Sequence, residues 1–145
     1  MTSAKNKALH YLSRFSRTEK QVADYLSRKG FPEEEIATTL SYLCEHNFLN
    51  DHTFAENFIE ARIRHADGPH KIKHLLFQKG IPVSLTNRLL AQIYPPELQK
   101  ERVKVLIQKR KTGDRNALIR FLASRGFPQY VMIQAFEELA KNEQR

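Results

Sequence analysis

Apolar side chains recur along the chain at intervals of three and four residues, which is the spacing of one face of an α-helix. No stretch alternates with period two over a useful length, so strands are not predicted. The helical pattern comes in three copies that align on Gly30, Gly80 and Gly126, at spacings of 50 and 46 residues. Around each glycine the order is an apolar pair, two spacers, a basic residue, the glycine, a large apolar residue and proline.

This order is typical of a helix that ends and is followed at once by another helix. The basic residue lies near the negative end of the helix dipole, glycine takes the left-handed cap, and proline opens the next helix. We therefore predict left-handed helix caps at Gly30, Gly80 and Gly126. The pattern predicts helices over about 3–15, 17–29, 33–46, 51–66, 69–79, 83–93, 96–111, 115–125 and 129–142.

Three such helices make up each predicted unit, and the units span residues 1–50, 51–95 and 96–145 of one continuous array. The fold class predicted from this repetition is all-α, an elongated curved array of three tandem three-helix repeats. Ser16 and Glu19 predict a capping box at the start of the second helix. Asn47 is expected to cap the third helix, and Asp51 to begin the fourth.

Basic residues exceed acidic residues by 24 to 16, which gives a net charge of +8. Between residues 100 and 125 there are nine basic side chains and two acidic ones. Charge concentrated in this way indicates a nucleic acid or an acidic protein surface as partner, with general solubility as the alternative. No apolar run exceeds four residues and no secretory segment follows Met1, so we expect a cytoplasmic protein without a membrane partner.

Patterns typical of catalysis are missing from the sequence. The five glycines form neither a phosphate loop nor a dinucleotide fingerprint, and the single cysteine, Cys44, lies in an apolar stripe where a core role is expected. His70 and His74 stand four residues apart, but Lys71 and Lys73 would repel a cation there. We therefore expect no enzyme, no catalytic residue, no metal and no cofactor.

Arg14, Arg64 and Arg110 occupy one position of the repeat, sixteen residues before the three glycines. In an array that repeats its geometry they would line one side and form a binding stripe for acidic partners. The alternative, which the sequence leaves open, is that each arginine caps its own helix or pairs with an acid of the next unit. The candidate partner-binding or DNA-binding residues are Arg14, Arg17, Arg62, Arg64, Lys71, Lys109, Arg110, Lys111 and Arg115.

Most aromatic residues fall at repeat positions that face the predicted core, so base stacking is the less favoured interpretation for them. Phe15 and Tyr11, beside Arg14 and Arg17, are not placed by the pattern. The aromatic residues expected in the core are Tyr25, Phe31, Phe54, Phe58, Phe121, Phe127 and Phe136.

Several stretches resemble the RecX family. Its central signature is similar to residues 49–62, LNDHTFAENFIEAR, and to residues 68–72 and 75–81. Residues 14–19 and 29–31 resemble the family's opening repeat, and residues 120–127 resemble its closing one. The resemblance covers about residues 4–140.

The resemblance implies a bacterial regulator of the RecA recombinase, active in homologous recombination, DNA repair and the SOS response. Such a protein binds the RecA–DNA filament in its helical groove and inhibits ATP hydrolysis, strand exchange and co-protease action, in part by limiting filament extension. It brings no catalytic or contact residue to this chain. The expected partners are the RecA filament and, weakly and without sequence preference, nucleic acid, and the protein is expected to be a monomer. The alternative hypothesis is a non-specific DNA-binding module of helical repeats that acts by DNA competition.

Overall fold

The computed structural model describes residues 3–110 and 113–143, so Lys111 lies outside the described residues. Every regular element in these two segments is an α-helix, which confirms the all-α prediction. The helices are α1 (Ala4–Leu12), α2 (Glu19–Arg28), α3 (Glu33–Glu45), α4 (Asp51–Arg64), α5 (Pro69–Gln78), α6 (Val83–Ile93), α7 (Pro96–Arg110), α8 (Arg115–Ser124) and α9 (Gln129–Glu143).

The helices pack in groups of three. Helices α1, α2 and α3 contact one another, α4, α5 and α6 contact one another, and both α7 and α8 pack on α9. We refer to these groups as unit 1, unit 2 and unit 3. The predicted limits of the units fall between α3 and α4 and between α6 and α7. That these limits divide the chain into domains stays a prediction, as does the elongated, curved shape.

The glycine caps follow the sequence prediction. Gly30, Gly80 and Gly126 have φ angles of 89°, 88° and 94°, in the left-handed region. The N–H of the next residue donates back to a leucine carbonyl in the last helical turn, as Phe31 does to Leu26 at 3.2 Å. Residues 81 and 127 donate to residues 76 and 122 in the same way, so the three helices end with one shared motif.

Two local predictions at the start of the chain are wrong. Helix α1 ends at Leu12 and not near residue 15, because the Ser13 hydroxyl donates to the carbonyl of His10 and closes the last turn. The capping box of α2 is formed by Thr18 and Gln21 and not by Ser16 and Glu19.

The cap of α3 and the start of α4 agree with the sequence. Asn47 has a φ angle of 61°, and the Phe48 N–H donates to the Leu43 carbonyl at 2.8 Å, which closes α3. Helix α4 begins at Asp51, directly after Asn50, whose side chain accepts the N–H of Thr53.

The buried apolar residues form two separate clusters among the described residues. One cluster lies wholly in unit 1. The other joins unit 2 and unit 3, with Ile59 and Leu76 from unit 2 and Val103, Leu122 and Val131 from unit 3. Units 2 and 3 therefore share one hydrophobic core, and unit 1 has its own.

Unit 1 meets unit 2 through polar contacts at the start of α2. Thr18 is completely buried, and its hydroxyl donates to the carbonyl of Lys79, at the end of α5, at 2.5 Å. The N–H of Glu19 donates to Asp51 Oδ1, at the start of α4, at 2.9 Å. The beginning of the second helix of one unit is thus held against the end of the second helix of the next.

Unit 2 meets unit 3 with the same relation between helices. The Gly68 N–H donates to the Arg125 carbonyl at 2.7 Å, and the His70 N–H donates to the Gly126 carbonyl at 2.9 Å. The approach is close, because a Cβ atom on Gly68 would lie 2.3 Å from the carbonyl carbon of Gly126. The start of α5 therefore docks on the end of α8 as α2 docks on α5, and the array extends by repetition of one contact.

Candidate partner-binding surface

The three arginines of the predicted stripe lie at the ends of equivalent helices. Arg64 and Arg110 are the last residues of α4 and α7, and Arg14 follows α1 by two residues. All three are exposed, and within residues 3–110 and 113–143 none of them forms an ion pair or a side-chain hydrogen bond. The alternative roles of carbonyl capping and pairing with an acid therefore have no contact to support them there. The binding stripe itself stays a prediction.

Several candidate cations lie over aromatic rings. The Arg110 guanidinium carbon is 3.9 Å from the ring centroid of Phe121, and that of Arg115 is 4.6 Å from the ring centroid of Phe136. In unit 1 the Arg17 guanidinium carbon lies 4.8 Å from the centroid of Tyr11 and 5.4 Å from that of Phe15. A guanidinium on a ring keeps hydrogen-bond donors at its edge, so stacking positions these cations without neutralising them. 

Arg62 and Lys71 have a partner inside the chain. Asp67, which is buried, has its Oδ2 atom 2.6 Å from Arg62 Nε and its Oδ1 atom 3.2 Å from Lys71 Nζ. Arg125 of unit 3 reaches the same carboxylate at 3.4 Å. These ion pairs give Arg62 and Lys71 a structural role where units 2 and 3 meet, and their predicted role in binding a partner stays a prediction.

Part of the positive charge between residues 100 and 125 is also paired. Lys100 Nζ lies 2.6 Å from Glu138 and 3.0 Å from Glu97, and Lys104 pairs with Glu138 and Glu101. Hydrogen bonds to Glu138 raise the pKa values of Lys100 and Lys104, and the same contacts lower the pKa of Glu138. The basic surface of unit 3 is therefore smaller than the sequence count indicates, and it includes the exposed Lys109, Arg110 and Arg115.

Cys44 is half-buried beside α2 and is not prepared for nucleophilic chemistry. Burial, and then the hydrogen bond from its thiol to Glu19 Oε1 at 3.3 Å, raise the pKa of Cys44 to about 11. His70 and His74 are both exposed. Across the described part of the chain, no group of three side chains could hold a metal ion. None of the helices described has the length and apolar character needed to cross a membrane.

The sequence prediction did not identify two features of the surface. Asp67 gave no repeat signal, because the equivalent positions hold Arg17 and Gly113. Phe15 is 65% exposed and Phe48 is 50% exposed, so neither belongs to a core. A signal was available for Phe15, since the equivalent residues, at positions 65 and 111, are His and Lys and the apolar pattern therefore stops before it.

Most of the aromatic residues expected in the core are in or against it. Phe127 is buried in the shared cluster of units 2 and 3, and Phe121 and Phe136 are partly buried against that cluster. Tyr25 and Phe31 pack in the same way against the cluster of unit 1. Phe54 and Phe58 are also partly buried against the shared cluster.

Helical units that dock end on end, with cations held on aromatic rings at the surface, define a helical-repeat protein of the binding type. Models for the first and second three-helix domains of RecX match residues 4–43 and 50–90. The chain belongs to the RecX family, which confirms the resemblance found in the sequence.

Curated relatives support this assignment. The regulatory protein RecX of Caldanaerobacter subterraneus subsp. tengcongensis is 34% identical over 126 residues, which cover 86% of this chain and 64% of the relative. That of Clostridium perfringens strain 13 is 32% identical over 148 residues, which cover 96% and 69%. The chain thus spans about two thirds of the length of these relatives.

Solved structures have the same fold. A crystal structure of RecX from Lactobacillus salivarius matches with a TM-score of 0.87 and 28% identity, and the match covers 94% of both chains. A second crystal structure, of a regulatory protein RecX, matches with a TM-score of 0.78 and 29% identity over 92% of this chain and 70% of the other.

Proposed function

We propose that this protein binds RecA–DNA filaments and inhibits the activities of RecA: ATP hydrolysis, strand exchange and co-protease action. It lodges in the filament groove as a monomer in the cytoplasm and limits filament extension. The observation that carries the proposal is the repeated row of exposed arginines, Arg14, Arg64 and Arg110, on a chain of the RecX family.

The repeated architecture suits a partner that is itself a repeated assembly. Each unit presents cations at the end of its first helix, and these exposed groups are individually weak binding elements. When one unit has bound, the others are held near the filament at high effective concentration, so several modest contacts together give a stable complex. A filament offers such contacts in a row, through DNA phosphates and acidic groups of neighbouring protomers.

The second candidate is a helical-repeat module that binds DNA without sequence preference and inhibits RecA only by competing for DNA. The net charge of +8 favours this alternative. The two mechanisms differ in stoichiometry, because competition must occupy the DNA whereas an inhibitor of extension needs few molecules per filament.

Titration of the protein into preformed RecA filaments, with ATP hydrolysis as the readout, separates the two mechanisms. We expect half-maximal inhibition well below one molecule per RecA protomer. Inhibition that appears only when the DNA is saturated with this protein, and that longer DNA relieves in proportion, would establish competition instead.

The double substitution Lys109→Glu and Arg110→Glu tests the contribution of the basic surface of unit 3. Reversal at a charged interface turns attraction into repulsion, so we expect the inhibitory concentration to rise about tenfold or more. The thermal midpoint should hardly change, because both side chains are exposed and form no ion pair in the described segments.

The matched control is Arg88→Glu with Lys141→Glu, which changes the net charge equally at two other exposed residues. Lys5 is a poorer control, since its ammonium lies 3.8 Å from the ring centroid of Tyr42. If the control pair raises the inhibitory concentration as much as the Lys109 and Arg110 pair does, overall charge governs inhibition and the stripe has no specific role.

A further inference from the structure

Two adjoining cavities lie where unit 1 meets unit 2, and Arg17 lines both of them. The first has a volume of about 340 Å³ and is bordered by Phe48 and by polar residues that include Asn47 and Asn57. The second has a volume of about 280 Å³ and is bordered by Tyr11, Arg14, Phe15 and Tyr25. We call these two cavities together the aromatic groove.

The groove presents aromatic faces that the fold does not use. Phe15 and Phe48 are 65% and 50% exposed, one beside each cavity, and neither is part of a hydrophobic core. Between them, Tyr11 and Tyr25 stack with their centroids 4.0 Å apart and their planes 5° apart. Burying two exposed phenylalanine rings against a flat apolar surface would be favourable, so a planar ligand is a suitable occupant.

The charge of the groove is positive. None of the described residues that border either cavity is acidic, whereas Arg14 and Arg17 are basic. The Nε–H of Arg17 is buried and has no hydrogen-bond partner within the described residues. A guanidinium with an unused donor, placed between aromatic rings, fits an anion attached to a planar group.

We propose that the aromatic groove binds single-stranded nucleic acid, with unpaired bases stacked on Phe15 and Phe48 and phosphates held by Arg14 and Arg17. Bases and phosphates alternate along such a strand, which matches the alternation of rings and guanidinium groups in the groove. Asn47 and Asn57 offer amide donors and acceptors to the edges of the bases. An acidic peptide would match only the cations, and a duplex would hide the faces of its bases.

This inference deepens the nucleic-acid part of the proposed function and adds base stacking to contacts that would otherwise involve phosphates alone. It assigns to Phe15 and Phe48 a role that does not require RecA. The test therefore uses the full chain without RecA, so its outcome is independent of whether the protein inhibits RecA filaments.

The experiment measures binding of the full chain to a fluorescently labelled single-stranded oligonucleotide by anisotropy. The comparison ligand is an abasic oligonucleotide of equal length and charge, and the comparison peptide is polyglutamate. Variants are Phe15→Ala and Phe48→Ala, which leave the charge unchanged. Phe77→Ala is the matched control, because Phe77 is 64% exposed but lies on α5 and does not border the groove.

We expect the wild type to bind the normal strand more tightly than the abasic strand. Phe15→Ala and Phe48→Ala should each weaken binding of the normal strand about tenfold, the effect of losing one stacked base, and leave abasic binding unchanged. Phe77→Ala should bind both strands like the wild type. Retained circular dichroism and an unchanged thermal midpoint show that each variant is folded.

Equal affinity for the normal and abasic strands, or normal binding by both groove variants, would overturn the proposal and leave only phosphate contacts. If polyglutamate displaces the strand and Phe15→Ala weakens both ligands alike, the groove recognises acidic protein segments and the assignment to nucleic acid is wrong. Inhibition of RecA filaments by the same variants, measured separately, shows whether the proposed function stands without the groove.

Discussion

Gly30, Gly80 and Gly126 share one backbone conformation but have different surroundings. A Cβ atom at Gly30 would meet no atom within 4 Å, whereas at Gly126 it would lie 2.4 Å from the backbone nitrogen of Lys71. Gly30 therefore serves only the end of its own helix, and Gly126 also allows the next helix to approach. The repeat in the sequence predicts the conformation of all three, but not this difference, because the neighbour comes from another unit.

Alanine at these two glycines should separate the two effects. Gly30→Ala should lower the free energy of unfolding by about 1–2 kcal/mol, the cost of a non-glycine residue in the left-handed region. Gly126→Ala should cost about 3 kcal/mol or more, because backbone must also move at the contact between units 2 and 3. Midpoints of chemical denaturation at constant slope measure both values. Equal losses would show that the contact at Gly126 relaxes without cost.

At the scale of helices and their ends, the sequence contains two overlapping capping-box patterns. Ser16 with Glu19 and Thr18 with Gln21 both satisfy the required spacing. The structure uses the second, because the Thr18 hydroxyl accepts the Gln21 N–H and also donates to Lys79 of unit 2. A local pattern could not distinguish the two boxes, since the deciding contact joins residues 61 positions apart.

Thr18→Val should be costly for a surface-loop position, because valine keeps the shape and removes only the hydroxyl. The substitution removes a helix cap worth about 1 kcal/mol and leaves the buried carbonyl of Lys79 without its donor. We expect a total loss of about 2–4 kcal/mol in the free energy of unfolding. Ser3→Ala is the control, because Ser3 caps α1 through Asn6 alone, at an exposed site, and should cost about 1 kcal/mol. Similar losses in the two variants would mean that the Thr18–Lys79 hydrogen bond adds no stability.

At the scale of the whole molecule, the sequence predicts helices and their repetition well because both depend on local residue types. It does not predict how the units are joined. Unit 1 meets unit 2 through hydrogen bonds of Thr18 and Glu19, whereas units 2 and 3 share a hydrophobic core and the ion pairs of Asp67. The candidate binding surface shows the same limit: the row at Arg14, Arg64 and Arg110 follows from the repeat, but the ion pairs of Asp67 depend on tertiary contacts.

This unequal joining predicts two cooperative parts in the native protein. Leu26 of unit 1 and Leu122 of unit 3 are both completely buried, so Leu→Ala at either site should cost about 2–5 kcal/mol locally. Because the Leu26 cluster contains residues of unit 1 alone, Leu26→Ala should speed amide hydrogen exchange in α1–α3 and leave α4–α9 nearly unchanged. Leu122→Ala should speed exchange across both units 2 and 3, which share its core. If Leu26→Ala accelerates exchange equally in all three units, the polar contacts at Thr18 and Glu19 couple unit 1 as strongly as a hydrophobic core would.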